Sequence, residues 1–182
     1  MYKALVMPEL QKRLIFQLVK AHGSNRTGFD DFVRDKGKGL IGLLMGAPGL
    51  GKSLTAEAIA ETARKPLYMM SSGELGEHVT AISNNLASVL ELTTTWKAVL
   101  LIDEADVFMA KRSEYNLERN AVTSIFLRHL EYYPGILILT TNRAESFDPA
   151  FQSMQSGSTE SLRLGTLRAD AHRPHPLLSP LR

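Results

Sequence analysis

The chain has 182 residues, 44% of them apolar and 22% charged, and no cysteine, which is ordinary globular usage for one domain with a real core and too short for two. Disulfides and thiolate metal centres are excluded, no apolar run reaches the ~18 residues of a membrane span, and the N-terminus lacks the order of a secretory signal, so an intracellular, cytoplasmic protein is expected. The net charge of +2 leaves residues 1–153 neutral, with 17 basic and 17 acidic side chains, and so excludes the concentrated basic face of a nucleic-acid binder.

In chain order, Leu10, Leu14, Ile15, Leu18 and Val19 recur at helical spacing after Pro8 and predict an amphipathic helix ending near Gly23, followed by a polar loop over 23–31. Leu40 to Met45 is an apolar run bounded by glycines, as in a strand buried on both faces of a parallel sheet. Lys52 to Arg64 consists largely of good helix formers and Pro66 stops it; a strand at Leu67 to Ser71 follows, whose Tyr68-Met69-Met70 run reads as sheet core, and Trp96 reads as a packing residue at a helix end. Ile82, Leu86, Val89 and Leu90 share a helix face, and Ala98 to Asp103 reads as the next strand. Leu117 to Tyr133 is a helix closed by Pro134-Gly135, and Ile136 to Thr140 a fourth strand. Helices alternating with apolar strands predict an α/β fold, a parallel sheet flanked by helices.

Between the first strand and the next helix, Gly46-Ala47-Pro48-Gly49-Leu50-Gly51-Lys52-Ser53 fits G-x-x-x-x-G-K-[ST]. Its glycines let successive backbone N–H groups turn around phosphates, Lys52 reaches the β and γ phosphates, and Ser53 offers a hydroxyl to Mg²⁺. The competing reading is a glycine-rich turn without a ligand, and the flanking strand and helix argue against it. ATP with Mg²⁺ is the implied ligand pair.

Asp103 and Glu104 end the third strand at the edge where ligands bind in open α/β sheets. Two adjacent carboxylates there call for a cation: Asp103 is the candidate metal partner with Ser53, and Glu104 the residue that orients and deprotonates the attacking water. Without the upstream loop the pair would read as a solvated helix cap. Asn142, closing Thr140-Thr141-Asn142 after the fourth strand, can bond both the γ-phosphate and the water without adding charge. The candidate catalytic set is therefore Lys52, Glu104 and Asn142.

Together these motifs resemble the AAA ATPases, over about residues 8–153. Lys36-Gly37-Lys38-Gly39-Leu40, Ser72-Gly73-Glu74-Leu75 and Leu130-Glu131-Tyr132-Tyr133 look like a group of them known mainly from filamentous fungi. The resemblance makes 46–53 the Walker A motif, 100–104 the Walker B motif and Asn142 sensor 1, and it implies ATP hydrolysis, a P-loop sheet of order 5-1-4-3-2 and a homo-oligomeric ring acting on an unspecified protein substrate. It divides the chain into an N-terminal helix and linker (1–28), the large α/β subdomain (29–153) and a tail (154–182). Met154 stands where the family places an arginine that acts on a neighbour's ATP. From there Ser, Leu, Arg, His and Pro dominate, so the fifth strand, the helical lid and its second sensor are expected to be absent and the tail to be irregular and foreign to the family, as after a frameshift, a retained intron or a mispredicted exon, with a natural divergent tail as the alternative. Gly76-Glu77-His78 lacks the aromatic residue that many AAA translocases carry there.

Three rival readings remain. Asp103-Glu104-Ala105-Asp106 spells the helicase DEAD motif, but the chain lacks the Ser-Ala-Thr-like motif and second domain of those helicases. No Asn-Lys-x-Asp motif marks a GTPase. A nucleotide-binding fragment without significant turnover is the rival from another class.

Overall fold

The computed structural model describes residues 39–109 and 116–142, the positions Arg13, Gln17, Val19, Lys20 and His22, and the backbone of Leu162–Leu164. The first strand, β1, is Leu40–Met45, and helix α1 is Lys52–Ala63. Strand β2 (Leu67–Ser71), a 3₁₀ turn (Ser72–Leu75) and helix α2 (Val79–Thr95) follow. Then come β3 (Val99–Asp103), the single turn α3 (Asp106–Met109), α4 (Leu117–Glu131) and β4 (Ile136–Thr141). A short strand, β5, spans Leu162–Leu164. All pairings are parallel and the order is β2-β3-β4-β1-β5.

Because side chains alternate across a strand, the apolar runs supply two cores, one on each face of the sheet. Leu40 and Leu44, Val99 and Leu101, and Ile136 and Ile138 pack with Ala56, Ile59 and Ala60 of α1 and with Val19. Leu43, Leu100 and Ile102, and Leu137 and Leu139 pack on the other face against Leu86 and Leu90 of α2 and Phe126 and Leu130 of α4. Phe108 stacks on Phe126 with ring centroids 4.7 Å apart, which ties α3 to α4. Arg13, Gln17, Val19, Lys20 and His22 are helical, and His22 Nε2 lies 3.0 Å from the Pro134 carbonyl. The remaining residues of the predicted N-terminal helix, Leu10, Leu14, Ile15 and Leu18, lie outside the described residues.

Two expectations need correction. The fifth strand is present: Leu162–Leu164 pairs with Gly42–Leu44, so β1 is an interior strand and the order matches 5-1-4-3-2. An unpaired strand flank is a template for any extended segment, and the apolar–polar–apolar triplet Leu162-Arg163-Leu164 is a strand period too short to stand out in a Ser- and Pro-rich tail. The rest of the predicted irregular tail and Met154 lie outside the described residues. Second, Tyr68-Met69-Met70, read as sheet core, is so only in part: Met70 is buried and Tyr68 packs half-buried against the core, but β2 ends the sheet and Met69 is 54% exposed. Trp96, read as a packing residue at a helix end, is 56% exposed and meets Tyr68 edge to face.

Candidate functional site

The register places the ends of three adjacent strands side by side. Met45 of β1 pairs with Thr141 of β4, and Ile102 of β3 pairs with Leu139. The loop after β1, Asn142 after β4, and Asp103-Glu104 at the end of β3 therefore emerge together at the C-terminal edge of the sheet, where an open α/β fold leaves its crevice.

In the loop, Gly49 and Gly51 both hold φ at 79°, the left-handed region that glycine enters without strain, and a Cβ on either would meet no atom within 4 Å. Gly51 caps α1 without a side-chain hydrogen bond, and no acidic residue occupies the first turn. The first amides of this helix have no intrahelical partner, which suits them to an anion.

Lys52 is only 8% exposed. A buried ammonium must be bonded, and its Nζ donates to the carbonyls of Gly46 (2.9 Å) and Ala47 (3.1 Å) and to Asn142 Oδ1 (2.7 Å). The last bond joins two residues 90 positions apart. Ser53 follows on the first turn of α1, half-buried, while Ala47, Pro48 and Gly49 are exposed and Gly46 is buried.

The acidic turn is built differently. Asp103 and Thr140 lie on the α1 face of the sheet, and the Thr140 hydroxyl donates to Asp103 Oδ1. The Glu104 amide donates to both Asp103 Oδ1 and Thr140 Oγ1, each at 3.1 Å, and the Ala105 amide to the Thr140 carbonyl at 2.9 Å. Glu104 itself is exposed and holds φ at 55°, a left-handed conformation unusual for a residue with a side chain. One residue on, the Thr141 hydroxyl donates to Asp106 Oδ1, tying the same turn from the opposite face. Thr140, Thr141 and Asp106 were not singled out from sequence. The available signal was a pair of threonines ending an otherwise aliphatic strand, since two buried hydroxyls need partners.

The register thus sets the loop, Asn142 and Asp103-Glu104 at the ends of adjoining strands, with Lys52 and Asn142 in direct contact. Among the described residues no cluster of three or more His, Asp and Glu side chains is placed to hold a metal. A cavity of about 600 Å³ between α2 and α4, lined by Leu90, Arg128, His129 and Tyr132 among others, contains none of the site residues. Burial first, and then the Arg128 charge, holds His129 below the usual imidazole range.

A glycine-rich loop between a strand and a helix, a lysine closing it, and an acidic pair two strands away define a nucleotide-binding P-loop domain. The family model described as "ATPase family associated with various cellular activities (AAA)" matches residues 42–160, and the chain belongs to that family of ATP-binding hydrolases. Among curated relatives, ATP-dependent zinc metalloprotease FtsH 1 of Phytoplasma mali is 34% identical over 118 residues, 59% of this chain and 20% of the relative. The ATPase family AAA domain-containing protein 3A homolog of Drosophila melanogaster is also 34% identical, over 59% of this chain and 19% of its own length. A putative 26S proteasome regulatory subunit homolog of Methanothermobacter marburgensis is 30% identical, over 61% and 32%. The matches thus span about a fifth to a third of these relatives. Among solved structures, a chain of an E. coli HORMA:CdnC:Trip13 complex superposes with a TM-score of 0.56 at 24% identity, over 80% of this chain and 59% of that one, a likeness of fold. No helix of the described residues is long and apolar enough to cross a membrane.

Proposed function

We propose that residues 29–153 bind ATP with Mg²⁺ at the C-terminal edge of the sheet and hydrolyse its γ-phosphoanhydride bond. The observation that carries this is the Lys52–Asn142 contact at 2.7 Å, which brings the phosphate loop and the sensor position together beside Asp103 and Glu104.

The loop fits the triphosphate. Gly46, Ala47, Pro48, Gly49, Leu50 and Gly51 supply a backbone cradle whose turn is made by two left-handed glycines with open space where a side chain would stand. Lys52 already holds three oxygen acceptors, and phosphate oxygens can replace Asn142 among them at little reorganisation cost. The metal site fits Mg²⁺ as well: Ser53 and Asp103 provide two hard oxygen donors and no protein cage, as suits an ion that keeps waters and substrate phosphates for its other positions. When bound, Mg²⁺ neutralises charge developing on the phosphates. Glu104 accepts a proton from the attacking water, and Asn142 hydrogen-bonds that water and the γ-phosphate.

The family suggests oligomeric assembly, and a homo-oligomeric ring is part of this proposal. Met154 cannot supply the positive charge that an arginine would place at a neighbour's phosphate, so turnover is slow, and a nucleotide-holding role without significant turnover is the second reading. The test is a titration of the full chain with a fluorescent ATP analogue and Mg²⁺, alongside steady-state phosphate release. Saturable binding with slow turnover is expected. Absence of binding overturns the proposal, and binding without release favours the second reading.

A further inference from the structure

Thr140 is fully buried near the end of a strand that is otherwise aliphatic up to Thr141. A hydroxyl in that place is costly unless its donor and acceptor functions are both used, and both go to the acidic turn. The proton goes to Asp103 Oδ1, and a lone pair takes the Glu104 N–H at 3.1 Å. The backbone carbonyl of the same residue takes the Ala105 N–H at 2.9 Å. One residue of β4 therefore fixes a carboxylate and two consecutive amides of a turn 35 to 37 positions earlier in the chain.

We propose that Thr140 is the positioning residue of the acidic pair: its hydroxyl holds the Asp103 carboxylate ready for Mg²⁺ and pins the Glu104 backbone in its left-handed conformation. This rests on the reading of Asp103 and Glu104 given above. With Oδ1 engaged by Thr140 and the Glu104 amide, Oδ2 is the Asp103 oxygen that would be available to Mg²⁺. A left-handed φ at a residue with a Cβ persists only where surrounding bonds over-determine it, and the two bonds to the Glu104 amide supply that constraint. An aliphatic residue of the same shape would satisfy the core equally well and leave the carboxylate held by the Glu104 amide alone.

The test compares Thr140→Val, which keeps the volume and removes the hydroxyl, with Thr140→Ser, which keeps the hydroxyl. Two quantities are read in the full chain: nucleotide affinity as a function of Mg²⁺ and in EDTA, and the steady-state rate. For Thr140→Val the Mg²⁺ half-saturation is expected to rise several-fold and the rate to fall about tenfold, as for one hydrogen bond to a charged group, while affinity in EDTA stays within about twofold. Thr140→Ser is expected to restore both. Should Thr140→Val not fold, Thr140→Ala is the hydroxyl-free variant. An unchanged Mg²⁺ half-saturation in the hydroxyl-free variant, an equal loss in Thr140→Ser, or an equal loss of affinity in EDTA overturns the proposal while the ATP reading stands. A parent chain that binds no nucleotide overturns both. A parent that binds but does not turn over leaves the Mg²⁺ titration to decide.

Discussion

The phosphate loop and the acidic turn occupy neighbouring strand ends and are held by different means. The loop is local: its left-handed glycines, its lysine and the first residues of the helix that follows lie within the eight residues Gly46 to Ser53, and two of the three Lys52 bonds return to carbonyls of the loop itself. The turn is long-range: Asp103, Glu104 and Asp106 are held by Thr140 and Thr141, from a strand 35 to 37 residues away in the chain. Backbone can cradle an anion with few side chains, whereas a carboxylate and a strained peptide need partners from elsewhere in the fold. The loop should therefore govern binding and the turn chemistry, and substitutions in each region separate the two.

The largest effect is expected in the turn. Glu104→Gln keeps shape and loses basicity, so phosphate release should fall by about 10² to 10⁴ while ATP affinity remains near that of the parent. Release at the parental rate would show that Glu104 does not activate the water. In the loop, Lys52→Ala removes a charged donor and leaves the carbonyls of Gly46 and Ala47 without it, and nucleotide affinity should fall by about 100-fold or more in an equilibrium titration. Unchanged affinity would remove the phosphate assignment. Asn142 touches both regions, and Asn142→Ala is expected to lower turnover about tenfold with a smaller change in affinity. A larger loss in affinity than in turnover would place Asn142 functionally with the loop.

This division also explains what could be read in advance. Strands β1 and β2 fall where apolar runs predict them, and β3 and β4 within one residue, because a continuous apolar run of strand length announces itself even where, as in the edge strand β2, one residue stays exposed. The Lys52 loop and Asp103-Glu104 are legible because their spacing and flanking elements are local. Thr140, Thr141 and Asp106 are not, since their pairing depends on register between β3 and β4. Strand β5 escaped because three alternating residues carry little periodic signal, and Met69 because a sequence does not say which strand ends the sheet.

The smallest effect lies in a third region, which serves as a control for the other two. Ser71 and Glu74 form a capping box on the 3₁₀ turn after β2, with the Ser71 amide donating to Glu74 Oε1 at 2.7 Å. That backbone bond, reinforced by the Ser71 side chain, holds the Glu74 carboxyl below its ordinary value of 4.5. A carboxyl with a lowered folded-state pKa stabilises the fold above its unfolded-state value and loses that contribution as the pH falls through the folded-state value. Glu74→Ala should therefore lower the melting temperature by a few degrees at most at pH 7, and its deficit relative to the parent should shrink as the pH drops below 4.5. Nucleotide affinity and turnover should not change, because Glu74 bonds Ser71 and neither the loop nor the acidic turn, although Ser71 itself pairs with Asp103 across β2 and β3. A deficit undiminished at low pH would mean that packing and not the charged bond is responsible, and a change in turnover would mean that the segment after β2 is coupled to the site.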